Sequence, residues 1–151
     1  MHGMGTFRFA YGGIYTGEYR NDVIHGQGKF CFDAKSSYEG EWRLGRKWGQ
    51  GKYVFRDGDS YEGSYRDDKL NGFGIYRYAE GDVFEGEFRE GKKNGFGRAN
   101  FADGDQYEGS YVNDQMHGVG KYTSAEGDVY EGNYLMDKMH GHGRFTYADV
   151  R

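Results

Sequence analysis

The stretch YEGEWRLGRKWGQGKYVFRDGDS (38–60) contains the pattern that decides the fold, and the pattern returns along the chain with a period of 23 residues. Its copies, here called rows, begin at Tyr15, Tyr38, Tyr61, Phe84, Tyr107 and Tyr130. A partial row occupies residues 1–14, where Gly3 and Gly5 fall in register with the G-x-G motif of the full rows. A repeat of this length is typical of an array in which each unit packs only against its neighbours. Because the rows fill residues 1–151 without an insertion, a single domain is predicted.

Glycine and aromatic residues dominate the composition, and the repeat accounts for most of both. The 151 residues include 28 Gly, 15 Tyr, 11 Phe and 2 Trp, but no Pro. Collagen requires abundant Pro and Gly at every third position, and disordered chains are poor in aromatic residues, so both classes are excluded. Helix is disfavoured as well, because each Gly in a helix costs roughly 1 kcal/mol.

Side-chain parity within a row predicts two strands. In residues 38–42 the two rings and the glycine between them fall on one face, and the two glutamates fall on the other. Residues 49–55 alternate in the same way, with glycines and rings on one face. Residues 43–48 and 56–60 carry the Gly and Asp that are typical of turns. Each row is therefore predicted to be a β-hairpin, and the hairpins are expected to pair edge to edge in one elongated, twisted, all-β antiparallel sheet.

The rows resemble MORN repeats (membrane occupation and recognition nexus), whose pattern is roughly Y-x-G-x-W/Y-x-x-G/D-x-x-x-G-x-G. Residues 38–60 and 84–106 (FEGEFREGKKNGFGRANFADGDQ) match this pattern closely, and all six rows follow it. The departures are local and fall at Thr16, Ser36, Ser37, Ala99 and Ser124. The resemblance implies an elongated array of antiparallel hairpins. Similar proteins include junctophilins, radial-spoke and other axonemal proteins, and scaffolds of protist cell division. In lipid kinases and a histone methyltransferase that carry such arrays, a separate domain performs the chemistry.

The paired glycines have a packing explanation. A residue without Cβ leaves a slot in which an aromatic ring of an adjacent strand can lie. A phosphate-binding loop would instead need its glycines to lead into a helix N-terminus. Here the G-x-G pair leads into a predicted strand at each of its seven occurrences, so ring packing is predicted, and no nucleotide or other cofactor.

The columns of acidic residues and histidines, and the single cysteine, are also interpreted as structural. Successive members of the Glu column would lie about 10 Å apart, which is too far for them to share a metal ion. Basic residues on the neighbouring strands predict cross-strand ion pairs instead. The histidines share a turn column with Trp48 and Asn71, a mixture that a set of metal ligands would not accommodate. Cys31 has no partner for catalysis, and the chain is predicted to have no catalytic residue, no metal site and no enzymatic activity.

Two surfaces are candidate partner-binding sites. The first is the aromatic face, represented by Tyr38, Trp42, Tyr61, Tyr65, Phe84, Phe88, Tyr107 and Tyr111. An open groove of rings suits an extended peptide or a helix. The second is an apolar patch on the otherwise polar face, consisting of Leu70, Phe73, Phe96, Met116 and Val119. Exposed apolar patches mark interaction sites, although rings in these positions would also cover the back of a twisted sheet.

Charge and composition restrict the partners and the compartment. The formal net charge of −4 argues against nucleic acid. No row carries the dense cluster of basic residues that recruits anionic lipid, so membrane binding is disfavoured. One Cys and no apolar segment of membrane-spanning length indicate the cytoplasm. The function expected is therefore a non-catalytic scaffold that binds protein partners in a cytoskeletal, axonemal or ciliary assembly. The alternative is a phospholipid-headgroup module that tethers membrane to cytoskeleton.

The ends of the array lead to a further expectation. The repeat places Met1 in a turn column, and Arg151 follows the last second strand, so neither end carries a polar capping row. Bare ends of an array present unpaired backbone and half-covered rings. We therefore expect a second protein chain to cover at least one end, in an elongated homodimer or a larger assembly.

Overall fold

The computed structural model describes residues 2–148, and all regular structure in this range is β-strand. The thirteen strands are β1 (Gly3–Arg8), β2 (Ile14–Arg20), β3 (Val23–Cys31), β4 (Ser37–Arg43), β5 (Arg46–Val54), β6 (Ser60–Arg66), β7 (Lys69–Arg77), β8 (Val83–Arg89), β9 (Lys92–Asn100), β10 (Gln106–Val112), β11 (Gln115–Thr123), β12 (Val129–Leu135) and β13 (Lys138–Thr146). They form one sheet in which each strand pairs with its chain neighbours, and the pairs are antiparallel. The prediction of an all-β array of antiparallel hairpins is confirmed. Met1 and Arg151, on which the expectation about the ends was built, lie outside the described residues.

The core is a ladder of rings on one face of the sheet, here called the ring ladder. It consists of the first and last aromatic residues of each first strand: Tyr15, Tyr19, Tyr38, Trp42, Tyr61, Tyr65, Phe84, Phe88, Tyr107, Tyr111, Tyr130 and Tyr134. Each opening ring meets the closing ring of its own row edge-on, and in rows one to five that of the next row too. The centroids are 5.0 to 5.8 Å apart and the ring planes nearly perpendicular, the arrangement that aromatic quadrupoles favour. One row thus stabilises the next through the same pair of contacts.

The glycine slots predicted from the G-x-G motif are present. Gly51 stands opposite Gly40, and a Cβ on Gly51 would overlap the phenol of Tyr38. The Tyr38 hydroxyl crosses this bare backbone and donates a hydrogen bond of 2.8 Å to the carbonyl oxygen of Glu41. The same arrangement recurs in the other rows that open with tyrosine, whereas Phe84 fills its slot without a hydroxyl.

A β-bulge interrupts the pairing of the two strands in each of the six full rows. In the third row, Gly63 pairs with Gly74 and Tyr65 pairs with Leu70, so three residues of β7 lie opposite one residue of β6. A bulge leaves backbone amides unpaired. In the fourth row a carboxylate satisfies one of them, since Phe96 N donates to Glu87 Oε2 at 2.8 Å.

Aspartates link the turns that connect each row to the next one. Asp59 Oδ1 accepts a hydrogen bond of 2.8 Å from Ala79 N in the next turn, 20 residues along the chain. The equivalent bonds join Asp82 to Ala102, Asp105 to Ala125 and Asp128 to Ala148. The Asp that follows the turn glycine therefore links successive rows.

Candidate protein-interaction surfaces

The eight aromatic-face residues singled out from the sequence lie in the ring ladder. All of them are buried, and Tyr38, Tyr61 and Tyr107 are 0% exposed. The four opening rings lie over the glycine slots and the four closing rings pack edge-on against them, so almost no ring surface is left for a partner. Their burial does not fit the expectation that they meet a partner directly, and the surface on this face is supplied by other rings.

Those other rings follow the G-x-G motif and form a continuous line beside the core. This line is here called the aromatic strip. It consists of Phe9, Phe30, Phe32, Tyr53, Phe55, Tyr76 and Tyr78, of which all but Phe30 are half-buried. Consecutive ring centroids are 4.4 to 5.7 Å apart. The strip stops where Ala99 occupies a ring position. The phase of these rings was visible in the sequence, but their partial exposure was not.

Two lysines lie against the rings at the hairpin-turn side of the aromatic face. Lys47 Nζ is 5.3 Å from the ring centre of Tyr53 and 5.7 Å from that of Tyr38, and Lys93 Nζ is 4.8 Å from that of Phe84. Burial lowers the pKa of Lys47, and Asp68 at 3.7 Å opposes that shift. The stems occupy the positions of Leu70 and Met116 in other rows, so these lysines complete the packing while keeping a cation over the rings.

Burial also perturbs the tyrosines of this face. It raises the pKa of Tyr61 to about 12, against which the hydrogen bond to Ser64 O acts in the opposite direction. Among the described residues, the buried hydroxyls of Tyr19, Tyr65 and Tyr134 have no hydrogen-bond partner. These phenols are therefore protonated packing groups at neutral pH. A general acid or base works best with a pKa of about 7, and burial moves the pKa of Tyr61 away from that value.

The apolar patch on the opposite face is smaller than the sequence suggested. Phe73, Phe96 and Val119 are 58%, 56% and 70% exposed and lie on the polar face as expected. Leu70 and Met116 do not join them, because each pairs directly with a ladder tyrosine and packs against the core on the aromatic face. A cleft of about 320 Å³ separates Phe73 from Phe96, with glutamates and Arg98 along its lining.

A second cleft on the polar face surrounds Trp48, which the sequence had placed only as one member of a turn column. It measures about 400 Å³ and is lined by Arg43, Leu44, Arg46, Trp48 and Asp67. The guanidinium carbon of Arg43 lies 4.6 Å from the centre of the Trp48 ring, and that of Arg66 lies 5.9 Å away. Stacking of this kind holds a guanidinium while leaving its edge free to donate.

The turn column that contains Trp48 has a structural role in other rows. His25 Nδ1 accepts a hydrogen bond of 3.2 Å from Leu44 N, and Asn71 Oδ1 accepts one of 3.4 Å from Glu90 N. His and Asn are interchangeable here because both present an acceptor to the backbone of the next turn. Indole has no acceptor, so Trp48 is the departure from this pattern that capping does not explain.

The remaining polar columns behave as structural elements. Arg98 lies between Glu85 and Glu108 in the sheet register, and its Nε is 3.1 Å from Glu108 Oε2. In the part of the chain that the structure describes, this is the one predicted cross-strand ion pair that forms, since the basic residues at the same position of the other rows have no carboxylate within 4.0 Å. Within residues 2–148 no group of three or more His, Cys, Asp or Glu side chains is arranged to hold a metal ion. The same residues contain no helix of the length and hydrophobicity needed to cross a membrane.

Comparisons with known proteins agree with this architecture. The family model described as MORN repeat matches residues 15–35, 38–60, 61–83, 84–106, 107–129 and 130–149. No curated protein matches the chain. Among solved structures, the TCP domain of SAS-4 (dCPAP) from Drosophila melanogaster, in complex with a proline-rich motif of Ana2 (dSTIL), is similar in fold. The TM-score is 0.55 at 13% sequence identity, over 96% of this chain and 84% of that one.

Proposed function

Because the chain belongs to the MORN repeat family, we propose that it is a non-catalytic scaffold whose aromatic face binds a protein partner. The observation that carries the proposal is the uncovered aromatic strip. A sheet normally buries its apolar face against a second layer, and residues 2–148 supply no such layer. A partner polypeptide would complete the missing layer over Phe32, Tyr53 and Tyr76.

The chemistry of the strip suits an extended peptide. Stacked rings give a large, rigid apolar surface at low cost in side-chain entropy, and half-buried tyrosines add polar groups at its edge. Tyr76 donates to Asp59 Oδ2 at 3.0 Å, which fixes the orientation of one such ring. The TCP domain of SAS-4, a similar fold, is bound to a proline-rich motif, and this supports peptide binding by an open sheet. Proline-rich segments dock on aromatic-lined surfaces because their extended conformation is already formed.

The setting of this scaffold is the finer part of the proposal. We place it in the cytoplasm, in a cytoskeletal assembly such as an axoneme or cilium, with membrane and nucleic acid as disfavoured partners. Support comes from the family resemblance and from the formal net charge of −4, which opposes non-specific binding to nucleic acid and to anionic membranes.

Proximity labelling in ciliated cells tests the proposal. The wild-type chain is compared with a strip variant, Phe55→Ser with Tyr78→Ser, and with Phe73→Ser as the control on the opposite face. We expect labelled cytoskeletal proteins with the wild type and the control, and their loss with the strip variant. An unchanged set of partners in the strip variant would contradict the role of the strip, and flotation of the chain with anionic liposomes would favour the lipid alternative.

A further inference from the structure

The hairpin-turn end of the polar face carries a line of basic residues, here called the basic edge. It consists of Arg20, Arg43, Arg46, Arg66, Lys69, Arg89 and Lys92. The residues belong to the first four hairpins, and the two that follow have Val112 and Leu135 in place of the arginine. The basic edge is therefore confined to one part of the array, in a chain whose formal net charge is −4.

The sheet register brings these charges together in an unfavourable way. Arg43 pairs directly with Arg46, and the next two hairpins repeat this with Arg66 opposite Lys69 and Arg89 opposite Lys92. Like charges directly opposite each other in a sheet destabilise it. Three consecutive pairs of this kind place six positive charges along one line of the sheet.

Nearby carboxylates neutralise only part of the basic edge. Arg46 Nη1 is 3.9 Å from Asp67 and Lys69 Nζ is 3.3 Å from Glu90, and these side chains are more than half exposed. Such exposed pairs are weak. The glutamates closest along the same face are engaged elsewhere, since Glu41 and Glu87 accept hydrogen bonds from the bulge amides of Gln50 and Phe96. Within residues 2–148, Arg43, Arg66 and Arg89 form no ion pair with a carboxylate.

The cleft at Trp48 lies within the basic edge and prepares it for binding. Arg43 and Arg66 flank the indole, so their guanidinium groups are oriented before a ligand arrives. Leu44 is 70% exposed at the rim and offers an apolar contact between the charges. This combination of an oriented guanidinium pair and an apolar cleft recognises a carboxylate-bearing segment that also carries an apolar side chain.

We propose that the basic edge is a second interaction surface that binds an acidic polypeptide segment, with the Trp48 cleft at its centre. Hairpins repeat about every 10 Å along the sheet, because each contributes two strands spaced by about 4.8 Å. A peptide in the polyproline II conformation advances about 3.1 Å per residue with three residues per turn, so acidic residues at every third position would lie on one face and meet successive arginines. A single line of cations with this spacing fits a linear polymer, whereas membrane recruitment requires a dense cluster of basic residues.

The basic edge is separate from the aromatic strip of the proposed function. The strip lies on the aromatic face, and the basic edge lies on the polar face at the turn end of the hairpins. Phe55→Ser with Tyr78→Ser should therefore leave acidic-peptide binding intact, and substitutions in the basic edge should leave binding at the strip intact. Each proposal can fail without the other.

A labelled synthetic peptide with glutamate at every third position, one leucine, and glycine and serine elsewhere is the probe. Binding to the full chain is followed by fluorescence anisotropy at low and at high salt. We expect Arg43→Gln with Arg66→Gln to weaken binding by about tenfold or more, since it removes both oriented guanidinium groups. Arg77→Gln removes one positive charge at the far end of β7 and is compared with Arg43→Gln alone, so it should alter affinity by less than about twofold and by less than the single Arg43→Gln substitution.

Trp48→His provides a second test that is safe for the fold, because histidine occupies this turn column in other rows. It should weaken peptide binding. It should also abolish the change in tryptophan fluorescence that we expect when the peptide binds beside Trp48, since the remaining Trp42 is buried. Equal weakening by Arg77→Gln, or no peptide binding at low salt, would overturn the proposal. Binding to phosphatidylserine vesicles without binding to the peptide would overturn it as well and assign the edge to a membrane.

Discussion

Gly51 lies directly beneath the phenol ring of Tyr38, and the two residues come from paired strands of one hairpin. The ring reaches across bare backbone to Glu41 O, so the glycine is required by contact with a side chain rather than by its own dihedral angles. The same relationship recurs along the array, and every row depends on it for its place in the ring ladder. Several measurable properties follow from this arrangement and from the hydrogen bonds around it.

Gly51→Ala is expected to destabilise the protein by about 1–3 kcal/mol, because the new methyl group would overlap the Tyr38 phenol and force the ring from its slot. Urea unfolding followed by circular dichroism measures the effect. Gly91→Asp is the control, since Asp68 and Asp114 occupy the same turn column and Gly91 has open space around it. A midpoint for Gly51→Ala equal to that of the control would show that the slot is not tightly filled.

Tyr61→Phe is expected to lower the free energy of unfolding in urea, and Tyr65→Phe is not. The Tyr61 hydroxyl donates a 2.9 Å hydrogen bond to Ser64 O, so its removal should cost about 1 kcal/mol. The buried Tyr65 hydroxyl has no partner among the described residues, and its removal should be neutral or stabilising. Phe88 already occupies the equivalent position in the next row. Equal destabilisation by the two variants would mean that an ordered water satisfies Tyr65.

Asp105→Ala is expected to loosen the joint between successive turns and to cost about 1.5–3 kcal/mol. The carboxylate accepts hydrogen bonds from Ala125 N at 2.8 Å and from the Tyr122 hydroxyl at 2.7 Å, and bonds to a charged acceptor are the stronger kind. Amide hydrogen exchange at Ala125 reports the loss directly. Asp103→Ala serves as the comparison, because Asp103 bonds only within its own turn. Unaltered exchange at Ala125 would contradict the role of Asp105.

Stability is expected to fall as the pH rises above about 10. Burial raises the pKa of Tyr15 and Tyr61 to about 12, while the unfolded chain titrates near the ordinary value of about 10. The unfolded state therefore loses phenol protons first, and this favours unfolding as the pH rises towards the folded-state pKa. Tyrosinate absorbance and circular dichroism should change together in this range. Full ionisation without loss of the β signal would contradict the burial of these rings.

The sheet edges are expected to mediate self-association. Within residues 2–148, β13 pairs only with β12, and every residue of β13 is exposed. Unpaired backbone at a sheet edge is a template for another strand, so an elongated homodimer or a larger assembly is expected. Sedimentation at micromolar concentration tests this. A species of 17.3 kDa at all concentrations would show that the edge remains unpaired in solution.

The sequence by itself predicted most of the architecture, because each requirement is local and repeats. The 23-residue period set the number of rows, and alternation in residues 38–42 assigned rings and glutamates to opposite faces. The phase of the glycines predicted slots for rings, and the structure contains them at Gly51 and its equivalents. These features depend on strand parity and on the absence of a side chain, which can be read one row at a time.

Only the tertiary structure decided which of these residues remain accessible and which meet across rows. Parity puts Tyr38 and Tyr53 on one face, but contacts with the next row bury the first completely and leave the second half-exposed. Direct pairing with Tyr65 packs the half-buried Leu70 against the core. The basic edge likewise arises because antiparallel pairing in successive hairpins aligns residues 23 positions apart. Burial and charge proximity are sums over neighbouring strands, so they are settled when the rows stack.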